Sequence, residues 1–209
     1  MLRIPYIPEP VAEAHIPAKA AEIALQSHNW AADYPYAPVT TVKLWHNGSD
    51  LFLHFEVEEN TVRAMAHEDN GPVYKDSCVE FFIAFSPEGY YNFETNCIGC
   101  MLMSHRKGRK VDVVYADPAI LENIERQPSI GTVPFDCKES DGKWSLTLKI
   151  PATSFFRHDF KSLRGVEAKG NFYKCGDMLP RPHFMSWQPI LTPNPDFHRP
   201  EFFAPILFE

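Results

Sequence analysis

The sequence predicts an all-β protein: an antiparallel β-sandwich with a short N-terminal helix and a proline-rich C-terminal strap. Three observations carry this. Apolar and polar residues alternate with period two in several short segments, each bounded by turn residues. Helical periodicity is nearly absent. The 209 residues include 19 Pro and 16 Phe against only 10 Gly, a composition suited to short strands and ordered loops.

Residues 1–37 are poor in strand pattern and read as an N-terminal extension packed on a single domain spanning 1–209. Within it Ala18–Ala24, with Pro17 near its start, reads as a short helix, and Tyr34-Pro35-Tyr36-Ala37-Pro38 blocks any continuation. Val42 and Leu44 alternate with Thr41 and Lys43, and Leu51, Leu53, Phe55 and Val57 alternate with polar positions. His46-Asn47-Gly48-Ser49-Asp50 between them is a turn, so this is a hairpin. Val79, Phe81, Ile83 and Phe85 form the next run, and Tyr91, Phe93, Thr95 and Cys97 the one after. Trp144, Leu146, Leu148 and Ile150 alternate most clearly of all. Weaker strands are expected at 111–115, 131–137, 165–173 and 184–188, and a helical turn or two at Pro118–Gln127 and Pro151–Arg157. The tail from Pro189 to Pro205, with Phe197, Phe202, Phe203 and, beyond it, Phe208, reads as an ordered strap over the sandwich.

Composition excludes several classes. Hydrophobic residues are 44% and charged residues 22%, which is globular, and a chain of this length buries roughly 70% of its unfolded surface without disulfides or metal. A net charge of −7 argues against nucleic acid and anionic membranes as main partners, since both require a basic face. No apolar run approaches the ~20 residues of a membrane helix. With Met1 as the natural start, the absence of a signal-peptide core points to the cytoplasm; otherwise the protein is expected to be periplasmic or secreted. The oligomeric state is not encoded in any recognisable pattern.

The five cysteines imply no disulfide framework. Cys97-Ile98-Gly99-Cys100 has C-x-x-C spacing but no second pair, so two reduced cysteines in a strand and its bend are expected there, with no metal. Haem would need an axial pair, and no spacing singles one out among Met65, Met101, Met103 and His183. No cofactor or catalytic motif is present.

The informative residues lie on the hairpin around Glu80 and Glu94. The apolar positions of both strands are odd-numbered, so residues facing each other must sum to an even number. A five-residue loop pairing Phe85 with Tyr91 satisfies this, and then Glu80 faces Asn96 with Glu94 diagonal to it. One face therefore carries Glu80, Asn92, Glu94 and Asn96. That is either a solvated sheet face or a cluster able to hydrogen-bond several hydroxyls at once.

Val73-Tyr74-Lys75-Asp76-Ser77-Cys78-Val79-Glu80-Phe81-Phe82-Ile83 resembles the segment around the binding carboxylate of carbohydrate-binding module family 9, most closely its stand-alone bacterial relatives. The likeness extends through Tyr91-Asn92-Phe93-Glu94, Gly170–Asp177, Ser186–Ile190 and Pro195–Phe203, spanning about residues 38–208. It implies an immunoglobulin-like or jelly-roll-like sandwich that binds a mono- or oligosaccharide without catalysis, in the breakdown of plant polysaccharide such as xylan. It further implies a sugar held between two aromatic rings, here Tyr74 and Trp187, and hydrogen-bonded by Glu80 and Asn96. Tyr74 stands where the family has Trp and offers a smaller platform. Lys174 is a candidate further donor, with a solvated lysine as the alternative; Asp76 more simply caps a turn. Structural calcium is also implied, although no Asp-rich loop is present to match. The alternative function is a glycoside hydrolase using Glu80 and Glu94 as its carboxylate pair.

Overall fold

The computed structural model describes residues 1–8, 16–139 and 142–209; residues 9–15 of the expected N-terminal extension lie outside them. In chain order the elements are β1 (Leu2–Ile4), β2 (Ala21–Ala24), β3 (Val39–His46), β4 (Asp50–Glu58), β5 (Thr61–Ala64), β6 (Cys78–Ser86), β7 (Gly89–Asn96), β8 (Met101–Arg106), β9 (Val114–Tyr115), α1 (Pro118–Glu122), β10 (Glu125–Pro128), β11 (Phe135–Glu139), β12 (Lys143–Pro151), β13 (Glu167–Cys175), β14 (Phe184–Ser186) and β15 (Ala204–Phe208). An eight-stranded sheet runs β1-β15-β13-β6-β7-β8-β9, with β14 also paired to β13, and a five-stranded sheet runs β10-β12-β4-β3-β2. Strands β5 and β11 form a separate pair.

The two large sheets pack face to face because each strand presents alternate residues to one side. From the smaller sheet come Leu53 opposite Leu148, Phe55 opposite Leu146 and Val57 opposite Trp144. From the larger come Phe81, Phe93 and Phe172, with Phe172 stacked on Phe81 at 4.6 Å. These buried side chains are each worth about 1.5–3 kcal/mol of transfer free energy. The outer face of the larger sheet is not bare. Phe82, Tyr90, Leu102 and Tyr173 form a second core there with Trp30, Ile190, Phe197 and Phe203, so the tail does cover the sandwich.

Two sequence expectations need correcting, and one gains detail. Residues Ala18–Ala24 are not a helix: Ala20 N–H closes a turn onto Pro17 O, and Ala21–Ala24 then add to β3 as an edge strand with Ile23 buried. Seven residues are too few to hold a helix in water, and pairing with β3 overrides alanine's weak propensity. The strap ends as β15, which is inserted between β1 and β13; its pairing with β1 is parallel. The β6–β7 register also differs. Ile83, not Phe85, faces Tyr91, so Glu80 lies directly opposite Glu94, and Cys78 opposite Asn96. The strands join through a tight turn with Ser86 facing Gly89, and a bulge setting Ala84 and Phe85 against Tyr90 absorbs the odd residue. Gly89 permits this: its φ is +154°, and a Cβ there would lie 2.7 Å from Arg106 O.

Candidate functional site

The corrected register concentrates charge on the outer face of the larger sheet. Glu80 on β6 and Glu94 on β7 face each other, and Tyr173 on β13 faces Glu80 from the other side. The two carboxyls form the floor of a cavity of about 540 Å³. Its walls come from loops and the strap: Tyr34, Tyr74, Tyr115, Phe184, Phe197 and His198, with Arg106, Arg109, Lys110 and Asp177 supplying charge. Tyr74 and Tyr115 are exposed, whereas Glu80 and Glu94 are only 3% and 5% accessible.

The two carboxylates are held differently. Glu94 Oε1 accepts from Asn92 Nδ2 at 2.9 Å; Asn92 Oδ1 accepts from Ser104, and Ser104 Oγ accepts from Arg106 Nε at 2.7 Å. Arg106 in turn donates to Arg109 O at 2.9 Å, so a chain of bonds across β7 and β8 fixes Glu94. Glu80 has only thiols as donors among the described residues, Cys175 at 3.2 Å and Cys78 at 3.9 Å. Thiols are weak donors, so this buried carboxyl keeps acceptor capacity toward the cavity. Burial, reinforced by Glu94, holds Glu80 well above the ordinary carboxylate range. Burial raises Glu94 to about 7 against the pull of Arg106 and Asn92, and raises Asp177 to about 6.

Of the five residues expected to bind ligand, the structure brings Tyr74 and Glu80 into this cavity. Asn96 does not line it. Its amide donates to Ala66 O at 2.8 Å and Asp76 at 3.0 Å while its carbonyl accepts from Cys100 N–H, which closes the turn between β7 and β8. The amide that does touch a site carboxylate is Asn92. Lys174 neither lines the cavity nor reaches the surface. Directly opposite Val79 on β13, it points into the sandwich, where it meets Glu59 at 2.9 Å, His183 Nε2 at 2.8 Å and Cys175 O at 2.9 Å, fully buried. Trp187 packs edge-on against Phe172 at 5.9 Å, on the inner core, not on the cavity. Asp76 is buried and bound to Arg63, accepting also from Met65 N–H and Ala66 N–H, so its carboxylate ties the start of β6 to the end of β5 instead of capping the turn before β6.

Sequence reasoning missed Tyr34, Arg106, Tyr115, Asp177, Phe184 and His198. Asp177 and His198 lie within the segments that carried the family likeness, and applying strand alternation to β13 would have turned Tyr173 and Cys175 toward Glu80 and Lys174 away. The implied calcium finds no group of three carboxylates among the described residues. It takes six to eight oxygen ligands. Among the described residues the one close group of three metal-ligating side chains is Cys78, Glu80 and Cys175, which has two sulfurs, while Asp69 and Asp76 are bound to Arg126 and Arg63.

A sandwich whose outer face holds a polar, aromatic-walled cavity is a small-ligand-binding module. The chain belongs to carbohydrate-binding family 9, whose sequence pattern matches residues 9–208. It is similar to a protein of Bacteroides uniformis ATCC 8492 assigned as carbohydrate-binding, at 41% identity over 91% of this chain and 87% of that one, with a TM-score of 0.87. It shares its fold with a family 9 carbohydrate-binding module of Caldicellulosiruptor kristjanssonii solved with glucose (TM-score 0.65, 11% identity, 100% and 95% coverage) and with cellotriose (0.62, 11%, 100% and 93%). No curated protein matches the chain.

Proposed function

We propose that this protein binds a mono- or oligosaccharide in the Glu80–Glu94 cavity, without catalysis, in the use of plant polysaccharide. The observation that carries the reading is the pair of buried, facing carboxyls, of which Glu80 has only thiol donors among the described residues. Sugar hydroxyls are the donors such a floor lacks. The apolar face of a pyranose packs on an aromatic ring, and Tyr74, Tyr34 and Tyr115 offer rings at the walls. A cavity of about 540 Å³ lies within the usual range of about 300–1,000 Å³ for small-ligand sites. Family membership, and the glucose and cellotriose held by the C. kristjanssonii module, support the ligand class.

The test is calorimetric titration with glucose, cellotriose and xylo-oligosaccharides, each also with a reduced end. Wild-type binding that weakens at least tenfold (about 1.4 kcal/mol) in Glu80→Gln supports the reading; silence across the panel at high protein concentration refutes it.

One observation favours glycoside hydrolysis as a second reading. Glu80 and Glu94 face each other across β6 and β7, and burial raises both, Glu80 well above the ordinary carboxylate range and Glu94 to about 7, the direction a general acid requires. Turnover of an aryl glycoside, lost in Glu80→Gln, would establish it; intact substrate after prolonged incubation with wild type would dismiss it.

A further inference from the structure

Cys78 converges with Glu80 and Cys175, two residues of the cavity lining, in a way that sugar binding does not require. Cys78 and Cys175 are directly opposite on β6 and β13, and Glu80 is two residues on from Cys78, on the same face. All three side chains are buried, and Sγ of Cys78, Sγ of Cys175 and a carboxylate oxygen of Glu80 lie within 4.8 Å of one another. The sulfur-to-oxygen distances are 3.2 and 3.9 Å. Bond lengths of about 2.3 Å to sulfur and about 2.0–2.2 Å to oxygen place tetrahedral ligands about 3.5–3.8 Å apart, so the three atoms stand close to the spacing one metal ion needs.

Charge points the same way. Four carboxyl groups, Glu80, Glu94, Asp177 and Asp196, line this cavity against Arg106, Arg109 and Lys110; Arg106 is committed to Ser104 and Arg109 O, and Arg109 lies 3.7 Å from Asp196. From the arrangement of Cys78, Glu80 and Cys175 we infer a binding site for a soft divalent cation of the zinc class, with its fourth position open to the cavity. Thiolate donors select such ions over calcium and magnesium. Binding exchanges two S–H bonds for two metal–sulfur bonds. It releases both thiol protons to solvent, and the Glu80 proton as well wherever that carboxyl is protonated. Both thiols must lose their protons to bind, so affinity rises with pH as the ion displaces them. The open position faces the space assigned to the sugar, where a hydroxyl or water can complete the shell, but the metal site stands on its own geometry and does not depend on that assignment.

The probe is Cd²⁺, added to reduced protein carrying Cys137→Ser, which removes the exposed thiol. Expected are thiolate-to-metal charge-transfer absorbance saturating at one ion per chain, release of at least two protons per ion, and neither signal with Ca²⁺. The band disappears in Cys78→Ser and in Cys175→Ser. If those variants do not fold, Glu80→Gln decides, keeping the band but binding at least tenfold more weakly. No band at one equivalent overturns the site, as does a band that persists in both serine variants and so belongs to Cys97 and Cys100. Saccharide titration of metal-free protein is read separately, so either reading can fail while the other stands.

Discussion

Replacing Lys174 by Met tests whether this residue belongs to the scaffold or to the ligand. Its ammonium and the Glu59 carboxylate are both fully buried and 2.9 Å apart. Lys174 also donates to Cys175 O, while Glu59 Oε1 accepts from Trp144 Nε1 at 2.7 Å. His183 completes the group: Nε2 accepts from Lys174, so Nδ1 carries the proton and donates to Arg181 O at 3.0 Å. Lys174→Met leaves the Glu59 charge buried without its cation, a change that costs about 3–5 kcal/mol. For a domain of this size each kcal/mol moves Tm by about 2–4 °C, so the expected fall is about 6–20 °C. Adding Glu59→Gln removes the stranded charge yet keeps an acceptor for Trp144, and the double variant should recover much of the loss. Thermal melts of the three variants measure this, and calorimetry on the folded single variant should give wild-type saccharide affinity. A Lys174→Met protein that keeps its Tm but loses saccharide affinity would refute the reasoning and return Lys174 to the site.

Tyr74→Ala and Trp187→Ala should separate binding from packing. Tyr74→Ala is expected to weaken saccharide binding about tenfold or more with little change in stability, and Trp187→Ala to cost about 3 kcal/mol with unchanged affinity; the reverse pattern in paired calorimetry and melts would contradict the site. Asp76→Asn breaks the buried pair with Arg63 and the bonds to Met65 N–H and Ala66 N–H, for an expected loss of about 3–5 kcal/mol in urea unfolding; a loss below about 1 kcal/mol would sink that account. His198 is held at about 3 by burial, with Arg106 and Arg109 beside it; Glu94 and Tyr90 OH also face it. A lowered folded value means its contribution is present above the unfolded value of about 6.5 and is lost as pH falls. His198→Gln should therefore gain on wild type by up to about 1.4 kcal/mol per pH unit below 6.5; a pH-independent difference in urea melts would show that the imidazole is not held neutral.

Strict alternation made β3, β4 and β12 legible, because one face of each meets the core and the other does not. The even-sum rule for β6 and β7 was sound, and it correctly put Glu80 and Glu94 on one face. It missed by one pair because a bulge at Ala84 and Phe85 is local backbone geometry that period counting does not register. The segment Met101–Arg106 forms β8 without a β-branched residue, so nothing in its composition announced a strand. Asn96, Lys174 and Trp187 were attractive by residue type. Their partners, Asp76, Glu59 and Phe172, lie 20, 115 and 15 positions away in the chain, and only the fold reveals that these groups are already satisfied. Tyr34 and Tyr115 reach the cavity from regions with no readable pattern, as walls built by loops commonly do.

The most direct test of the central claim is to map the bound sugar by amide chemical-shift changes on adding cellotriose to labelled protein. The account predicts saturable shifts clustered at Glu80, Glu94, Leu102, Arg106 and Asp177, around the carboxylate floor. Saturable shifts centred instead on Trp187, or on the groove lined by Phe85, Lys169 and Ile206 at the edge of the same sheet, would contradict it.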